Sequence, residues 1–176
     1  MFIKFNTVFV LAALLFAQGQ ATPAPTTDGE LVLLSTEETP TGTITIWGIP
    51  EDGTVVAARD PEALEKRQCG TNNVTCSGDH TADRNACNQL VSSLSANSGQ
   101  GVGTSPRSIC QTVNGNQCCV SWANPVNGLT QGNLVPGAQA VLNGCGGNSI
   151  SGLTRNTNLN GICTTQCLSN RATGCS

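Results

Sequence analysis

The sequence predicts an α+β fold, a small disulfide-rich two-layer sandwich of two helices packed on an antiparallel sheet. Three observations lead to this prediction. All ten cysteines lie after Arg67, apolar residues recur at helical spacing from Thr81 to Ala96, and an Asn-Gly pair at 114–115 joins two β-prone runs. An even number of cysteines in so short a stretch is typical of the disulfide framework of a secreted protein.

The N-terminal residues have the features of a signal peptide. Lys4 supplies a positive charge, Val8 to Ala17 is a nearly unbroken apolar run, and small residues follow at Gly19 and Ala21. Because this run is too short to span a bilayer, cleavage after Ala21 is favoured over an uncleaved membrane anchor. We therefore assign residues 1–21 to a signal peptide and expect the protein to be secreted.

A cysteine-free, acidic segment follows at residues 22–67. It contains nine of the eleven acidic residues of the chain and two short β-prone runs, Leu31–Leu34 and Thr43–Trp47. We interpret it as a pro-segment, which would either keep the following domain inactive or assist its folding.

The dibasic pair Lys66-Arg67 marks the end of this segment. Composition, charge and cysteine content all change at this point of the chain. We therefore predict that a trypsin-like secretory protease cuts here and leaves Gln68 as the new N-terminus. The alternative is a solvated basic pair on an intact chain.

Residues 68–176 form one domain by length, with few large side chains for an interior. This part of the chain has no Phe, Tyr or Met, and Trp122 is its one large aromatic residue. An aliphatic core of this size barely exceeds the cost of chain entropy, so disulfides worth about 2–4 kcal/mol each decide whether it folds. We expect every cysteine to be paired, in a connectivity that the sequence leaves open: Cys69, Cys76, Cys87, Cys110, Cys118, Cys119, Cys145, Cys163, Cys167 and Cys175.

Two helices are predicted from the spacing of apolar residues. The first runs from Thr81 to Ala96, with Asp79 or Thr81 as its N-cap. The second fits Leu134 to Asn143, with Pro136 in its first turn, where the missing backbone N–H has no helical partner.

The central hairpin of the sheet is predicted with a defined turn. Strands over 107–113 and 117–122 flank Asn114-Gly115, a pair that tolerates the positive φ of a tight hairpin turn. Adjacent strand residues point to opposite faces, so Cys118 and Cys119 cannot reach the same side. One sulfur should bind to the helix layer and the other to the outer face or the C-terminal tail.

A second, weaker hairpin is predicted nearer the C-terminus. It pairs residues 149–155 with residues 159–164 around a turn at 156–158. The last segment, from Cys167 to Cys175, is expected to be irregular and tied at both ends.

The residues Asp79, His80 and Asp83 form the one group that suggests catalysis, with Ser77 nearby. A single histidine beside acids at a helix start is more often a capping and surface feature. The sequence has no Gly-x-Ser-x-Gly motif, and a glycosidase usually brings its carboxylates from different segments. We therefore predict no catalytic residues and no enzyme activity, with a small secreted hydrolase as an alternative.

No metal and no cofactor are expected. Cys163 and Cys167 have a spacing that suits zinc, but cysteines behind a signal peptide are far more often oxidised. A catalytic thiol is disfavoured because the number of cysteines is even and His80 is the one histidine of the chain.

The tripeptide Asn73-Val74-Thr75 is an N-glycosylation sequon. It lies in a polar stretch close to the predicted new N-terminus. Asn73 is therefore a candidate glycosylation site.

Four arginines outnumber the two aspartates of the predicted domain: Arg84, Arg107, Arg155 and Arg171. One interpretation is ordinary solvated surface charge. The other is an anion-seeking face for acidic headgroups, wall polymers or an acidic vestibule of a membrane protein. The net charge is too small to favour nucleic acid as a partner, and we expect a monomer.

Several short motifs resemble those of a family of fungal secreted proteins whose domain is called WD-like, a label unrelated to WD40 propellers. The resemblance covers nearly all of residues 68–176 and implies a ten-cysteine secreted domain. It implies no settled biochemical activity. The motifs are Val74–Ser77, His80, Cys87–Leu90, Ser105–Cys110, Cys118–Trp122, Ser149–Gly152, Cys167–Arg171 and Gly174–Ser176.

The order of elements is also similar, more distantly, to the killer toxin encoded by a virus of smut fungi and to related effectors. That likeness implies a disulfide-tied α/β sandwich that acts on the membranes or calcium channels of competitors. The lysine that such a toxin uses has no counterpart, because residues 68–176 contain no lysine. Hydrophobins are a weaker match, since they carry two Cys-Cys doublets and this chain has one.

Taken together, these features predict a secreted, non-enzymatic protein of toxin or effector type. It would bind an unknown extracellular target, on a host or a competing microbe, after processing at the dibasic site. The alternative from another class is a structural or wall-associated protein without toxic action.

Overall fold

A computed structural model describes residues 31–50, 69–173 and 175 of the chain. The predicted signal peptide with its cleavage after Ala21, the dibasic pair Lys66-Arg67 and the predicted new N-terminus Gln68 lie outside the described residues. The described residues form nine strands and two helices. Their bounds are β1 Val32–Thr39, β2 Gly42–Gly48, β3 Asn73–Cys76, β4 Ala82–Asp83, α1 Arg84–Ala96, β5 Pro106–Val113, β6 Asn116–Trp122, α2 Gln131–Gly144, β7 Ser149–Ile150, β8 Gly152–Leu159 and β9 Ile162–Ser169.

Seven of the strands form one antiparallel sheet in the order β1-β2-β5-β6-β9-β8-β3. Strands β4 and β7 pair separately as a short ribbon next to the start of α1. Both helices contact each other and pack on one face of the large sheet. The predicted α+β two-layer sandwich is therefore confirmed.

The core between the layers is aliphatic, as its composition predicts. Leu90 of α1, Leu134 of α2 and Leu168 of β9 are fully buried there. Trp122 is 2% exposed and is the one aromatic side chain of this cluster among the described residues. Branched and small side chains therefore fill the interior. Disulfides provide the stability that large aromatic side chains would otherwise supply.

Helix α1 begins three residues later than predicted. Its N-cap is Asp83, whose Oδ1 accepts a hydrogen bond from the backbone N–H of Ala86 (3.0 Å). The prediction of Asp79 or Thr81 as the cap is therefore wrong. The reason is that Ala82 and Asp83 are held in extended backbone by pairing with β7, so the helix cannot start before them.

Helix α2 begins three residues earlier than predicted. Thr130 is its N-cap, and the backbone N–H of Thr130 donates to Oδ1 of Asn133 (2.9 Å). This local capping extends the helix toward its N-terminus, so that Pro136 lies inside the helix rather than in its first turn.

The central hairpin is confirmed with its turn. Asn114 and Gly115 have φ values of 48° and 78°, as a tight turn between β5 and β6 requires. The turn predicted for the second hairpin is wrong. Strands β8 and β9 reverse direction at a second Asn-Gly pair, Asn160-Gly161. Asn156, in the predicted turn, instead has φ 58° at a register shift within β8.

The ten cysteines form five disulfides, and none is free. Cys118 binds Cys87 of α1, whereas Cys119 binds Cys110 directly opposite it on β5. The doublet therefore reaches both sides of the sheet, as its position in a strand predicts. The other pairs are Cys69–Cys163, Cys76–Cys145 and Cys167–Cys175, the last of which ties the C-terminal segment at both ends. Cys167 itself lies in β9, so the prediction of an irregular segment is wrong as far as Ser169, where the strand ends.

Candidate binding face

The sheet has a face opposite the helices, which we call the outer face. Val120 lies in the main core with the helices, whereas its neighbour Cys119 belongs to a separate small cluster with Cys110 and Ala172. Because strand side chains alternate, residues in register with Cys119 share its face. Ser169 lies directly opposite Cys119 and is therefore on the outer face.

A cleft of about 270 Å³ opens at this outer face. Leu153 of β8 and Ser169 of β9 line its floor, and Ser77, Asp79, His80 and Arg171 are among the residues at its walls. The cleft is thus a mixed polar and apolar depression that contains one imidazole, one carboxylate and one guanidinium.

The turn before α1 carries Asp79 and His80 to the cleft. His80 has φ 52°, an uncommon conformation for a residue with a side chain, and its carbonyl oxygen accepts from the backbone N–H of Asn170 (2.9 Å). The backbone N–H of Asp79 donates to Oγ of Ser77 (3.1 Å). These contacts fasten the turn to the C-terminal segment, so Arg171 and His80 border the same cleft.

The third residue of the possible hydrolytic group, Asp83, does not line this cleft. Its carboxylate caps α1, where it compensates an unpaired backbone N–H and the positive end of the helix dipole. The structure therefore gives Asp79 and Asp83 different surroundings, although one helical turn separates them in sequence.

The side chain of Arg84 donates hydrogen bonds to backbone carbonyl groups and is therefore not free to bind a ligand. Its Nη1 donates to the carbonyl oxygen of Leu142 (3.0 Å) and its Nη2 to that of Cys145 (2.6 Å). These carbonyls belong to the C-terminal end of α2, where helical partners are missing. Arg84 is half-buried, and its charge stabilises the helix end.

Arg107 is buried, with 8% of its surface exposed. Its Nη1 donates to the carbonyl oxygens of Thr104 (2.8 Å) and Pro106 (2.9 Å). Loss of hydration on burial lowers the pKa of the guanidinium below its usual range. A group in this position holds the loop before β5 and presents little charge to a partner.

Arg155 and Arg171 are the two predicted face residues whose side chains are exposed. Arg155 pairs with β3 in an uninterrupted register, two residues along from the Thr75–Leu153 pair that lines the cleft, and it therefore lies on the same outer face. Directly opposite it on β3 stands the sequon residue Asn73, which is also exposed. The structure thus divides the four predicted arginines into two at the outer face and two bound by backbone carbonyls.

A second cavity, of about 290 Å³, lies near the Asn160-Gly161 turn and is rich in asparagine. Its amides are mostly used within the protein. Nδ2 of Asn160 donates to the carbonyl oxygen of Asn127 (2.8 Å), and Oδ1 of Asn158 accepts from the backbone N–H of Gly161 (2.7 Å). These bonds stabilise the turn, whereas Oδ1 of Asn72, which also lines the cavity, is buried without a hydrogen-bond partner.

The sequence placed Ser77 beside Asp79 and His80, but it did not indicate Ser169 and Leu153, which also line the cleft. Ser77 and Ser169 lie far apart in the chain and meet through strand register, which alternation alone does not fix. In the described part of the chain, no cluster of His, Cys, Asp and Glu is arranged to hold a metal ion. No helix there is long and apolar enough to cross a membrane.

A comparison with known protein families identifies the family of this domain. The model of the fungal WD-like family matches residues 55–175, which is more than half of the chain. The chain belongs to the fungal WD-like family. No curated protein and no solved structure matches it.

The family match covers the disulfide-linked part of the chain but not the first hairpin, which is formed by β1 and β2. The fungal WD-like match includes all ten cysteines and begins after β2 has ended. Five disulfides indicate that this WD-like protein matures in an oxidising compartment. The more distant likeness to killer toxins has no structural match and stays a sequence-based prediction.

Proposed function

We propose that this fungal WD-like protein is secreted and acts outside the cell as a non-enzymatic, toxin-like or effector-like protein that binds an anionic surface of a host or competitor. The observation that carries the proposal is the outer face. Arg171 and His80 border its cleft, and the exposed Arg155 stands on the same side of the sheet.

Charge alone supports binding of modest strength. A cationic side chain close to an anionic membrane contributes about 1 kcal/mol, and the contribution falls off within about 8 Å in physiological salt. Two arginines on one rigid face can therefore bias the orientation of the protein at the surface. The wall-associated role is an alternative that shares this chemistry, because wall polymers also carry negative charge.

The assignment of a non-enzymatic role rests on how the acids are used. Asp83 caps α1, which leaves Asp79 as the carboxylate that lines the cleft. Two-carboxylate hydrolysis needs a second acid on the other side of the bond to be broken. The hydrolase alternative would instead require turnover that depends on His80, and His80→Ala is the variant that tests it.

The test uses the oxidised protein without its predicted signal peptide and N-glycan, and two kinds of vesicle, phosphatidylcholine alone and phosphatidylcholine with phosphatidylserine. We expect binding to the anionic vesicles that weakens with added salt. The double variant Arg155→Gln/Arg171→Gln should bind about thirtyfold more weakly, because two contributions of about 1 kcal/mol are lost.

A matched control separates the position of the charge from its amount. Ser92 and Ser95 are exposed on α1, in the helix layer on the far side of the sheet. Adding Ser92→Arg and Ser95→Arg to the double variant restores the net charge but not the face, so we expect binding to stay weak. Recovery of binding in this variant, or equal binding to neutral vesicles, would contradict the proposal.

A further inference from the structure

The first hairpin of the chain covers what would otherwise be an edge of the sheet. Strand β2 pairs with β5 from Thr43, opposite Thr112, to Gly48, opposite Pro106. This hairpin precedes the predicted cut at Lys66-Arg67 and lies outside the family match, which begins at residue 55. The central sheet of the WD-like domain is thus completed by a segment that the domain model does not include.

The two faces of β2 recognise the domain through alternate side chains. Ile44 and Ile46 pack against the main core on the helix side. Trp47 packs on the outer face against Cys110, Cys119 and Ala172. Backbone bonding along one edge together with pockets for alternate side chains is how domains bind an added strand.

One end of the β5 edge also accepts only a small residue in the strand that pairs with it. A Cβ on Gly48 would lie 2.6 Å from the carbonyl oxygen of Ser105 and 2.8 Å from Cα of Pro106. These are backbone atoms and cannot move aside easily. At the other end, the buried side chain of Gln111 donates from Nε2 to Oγ1 of Thr41 (2.9 Å).

The hairpin has no disulfide to the rest of the protein, because the first cysteine is Cys69. Its outer strand β1 is exposed nearly throughout, with Leu33 49% exposed. An intact connection keeps the hairpin at an effective concentration in the millimolar range. A cut removes this advantage, and an isolated two-stranded hairpin is only marginally stable.

We propose that the β5 edge is a strand-binding surface for an extended protein segment with β-branched side chains at alternate positions and a small residue after them. The β1–β2 hairpin occupies this surface in the uncut chain. Cutting at Lys66-Arg67 makes the hairpin exchangeable. The surface is separate from Arg155 and Arg171, so the inference does not depend on the proposed function.

The experiment starts from the oxidised full-length chain, either left intact or cut by a dibasic-specific protease. The double variant Lys66→Gln/Arg67→Gln, treated with the same protease, is the uncut control. The probe is a fluorescein-labelled synthetic peptide of residues 31–50. We expect the fluorescence anisotropy of the peptide to rise with the cut protein and to stay low with the uncut control.

Changes placed in the peptide leave the folding of the protein unaffected. Ile46→Lys should weaken peptide binding about tenfold or more, because it removes an apolar side chain from the core side. Thr36→Ala should bind like the native peptide, because Thr36 is exposed on β1.

Three results would overturn the proposal. The first is a cut protein that has lost its hairpin, as seen by native mass spectrometry, and still binds no peptide. The second is a hairpin that stays bound after the cut and never exchanges with the labelled peptide. The third is equal binding of the native and Ile46→Lys peptides. None of these results bears on binding to anionic vesicles.

Discussion

The guanidinium group of Arg84, the first residue of α1, donates a hydrogen bond to the carbonyl oxygen of Leu142 in the last turn of α2 (3.0 Å). The last carbonyls of a helix have no partner within that helix, and α2 has no basic residue in its own last turn. Arg84 of α1 therefore provides a positive charge that stabilises the C-terminal end of α2.

We predict that Arg84→Gln lowers the free energy of unfolding by about 1–3 kcal/mol, because carbonyl groups lose a charged donor. Urea unfolding of the oxidised protein measures the change. Arg155→Gln is the matched control, since Arg155 is exposed at the outer face, and its unfolding midpoint should equal that of the native protein. Equal midpoints for both variants would show that Arg84 has no structural role.

The disulfides are expected to differ in their contribution to stability. Cys87–Cys118 joins residues 31 positions apart, and Cys167–Cys175 joins residues 8 positions apart. In the loop-entropy model the larger loop contributes about 1 kcal/mol more. Cys87 and Cys118 are also fully buried, so their replacement leaves a cavity.

We therefore predict that Cys87→Ala/Cys118→Ala lowers the melting temperature more than Cys167→Ala/Cys175→Ala does. Calorimetry of both double variants, with their remaining disulfides intact, gives the comparison. The reverse order would mean that the C-terminal tie, rather than the link between α1 and the sheet, limits stability.

Local sequence signals were sufficient for the elements that local rules determine. The repeat of Ala82, Ala86, Leu90 and Leu94 predicted α1, although Ala82 itself lies in β4. Asn114-Gly115 predicted the central turn. The Cys118-Cys119 doublet predicted bridges to both faces, because alternation in a strand is a local property.

The turn of the C-terminal hairpin lies at Asn160-Gly161 rather than at Asn156, and the Asn-Gly pair there is the same local signal that predicted the central turn. The start of α1 was mispredicted for another reason, because pairing between distant segments decides it. Pairing with β7 keeps Ala82 and Asp83 extended, which moves the start of the helix.

The candidate site was only partly predictable for the same reason. Composition identified four arginines, yet whether each is free depends on which carbonyls surround it. Arg84 meets the end of α2 and Arg107 meets its own loop, whereas Arg155 and Arg171 are exposed. The β-prone runs of the acidic segment were visible, but their pairing with β5 was not, since nothing local specifies that partner.

Gly48 provides a test of how the first hairpin is held. We predict that Gly48→Ala loosens β2 by about 1–3 kcal/mol, because its Cβ would overlap backbone atoms of Ser105 and Pro106. Hydrogen exchange of backbone amides should become faster in β2 and stay unchanged in β6. Gly99→Ala is the control, since a Cβ at Gly99 meets nothing within 4 Å. Equal protection of β2 in the two variants would indicate that the close approach of Gly48 is unimportant.

The sequon at Asn73 lies on the outer face directly opposite Arg155, on a strand at the edge of the sheet. Because Asn73 is exposed, we predict that it carries an N-glycan and that the intact mass falls accordingly in Asn73→Gln. The first sugars would cover Arg155, so their enzymatic removal should strengthen binding to anionic vesicles about fivefold. Asn88→Gln, at an exposed position on α1 outside any sequon, should change neither property. A secreted protein without a glycan would contradict the predicted modification of Asn73. Vesicle binding that does not change when the glycan is removed would show that Asn73 is not part of the binding face.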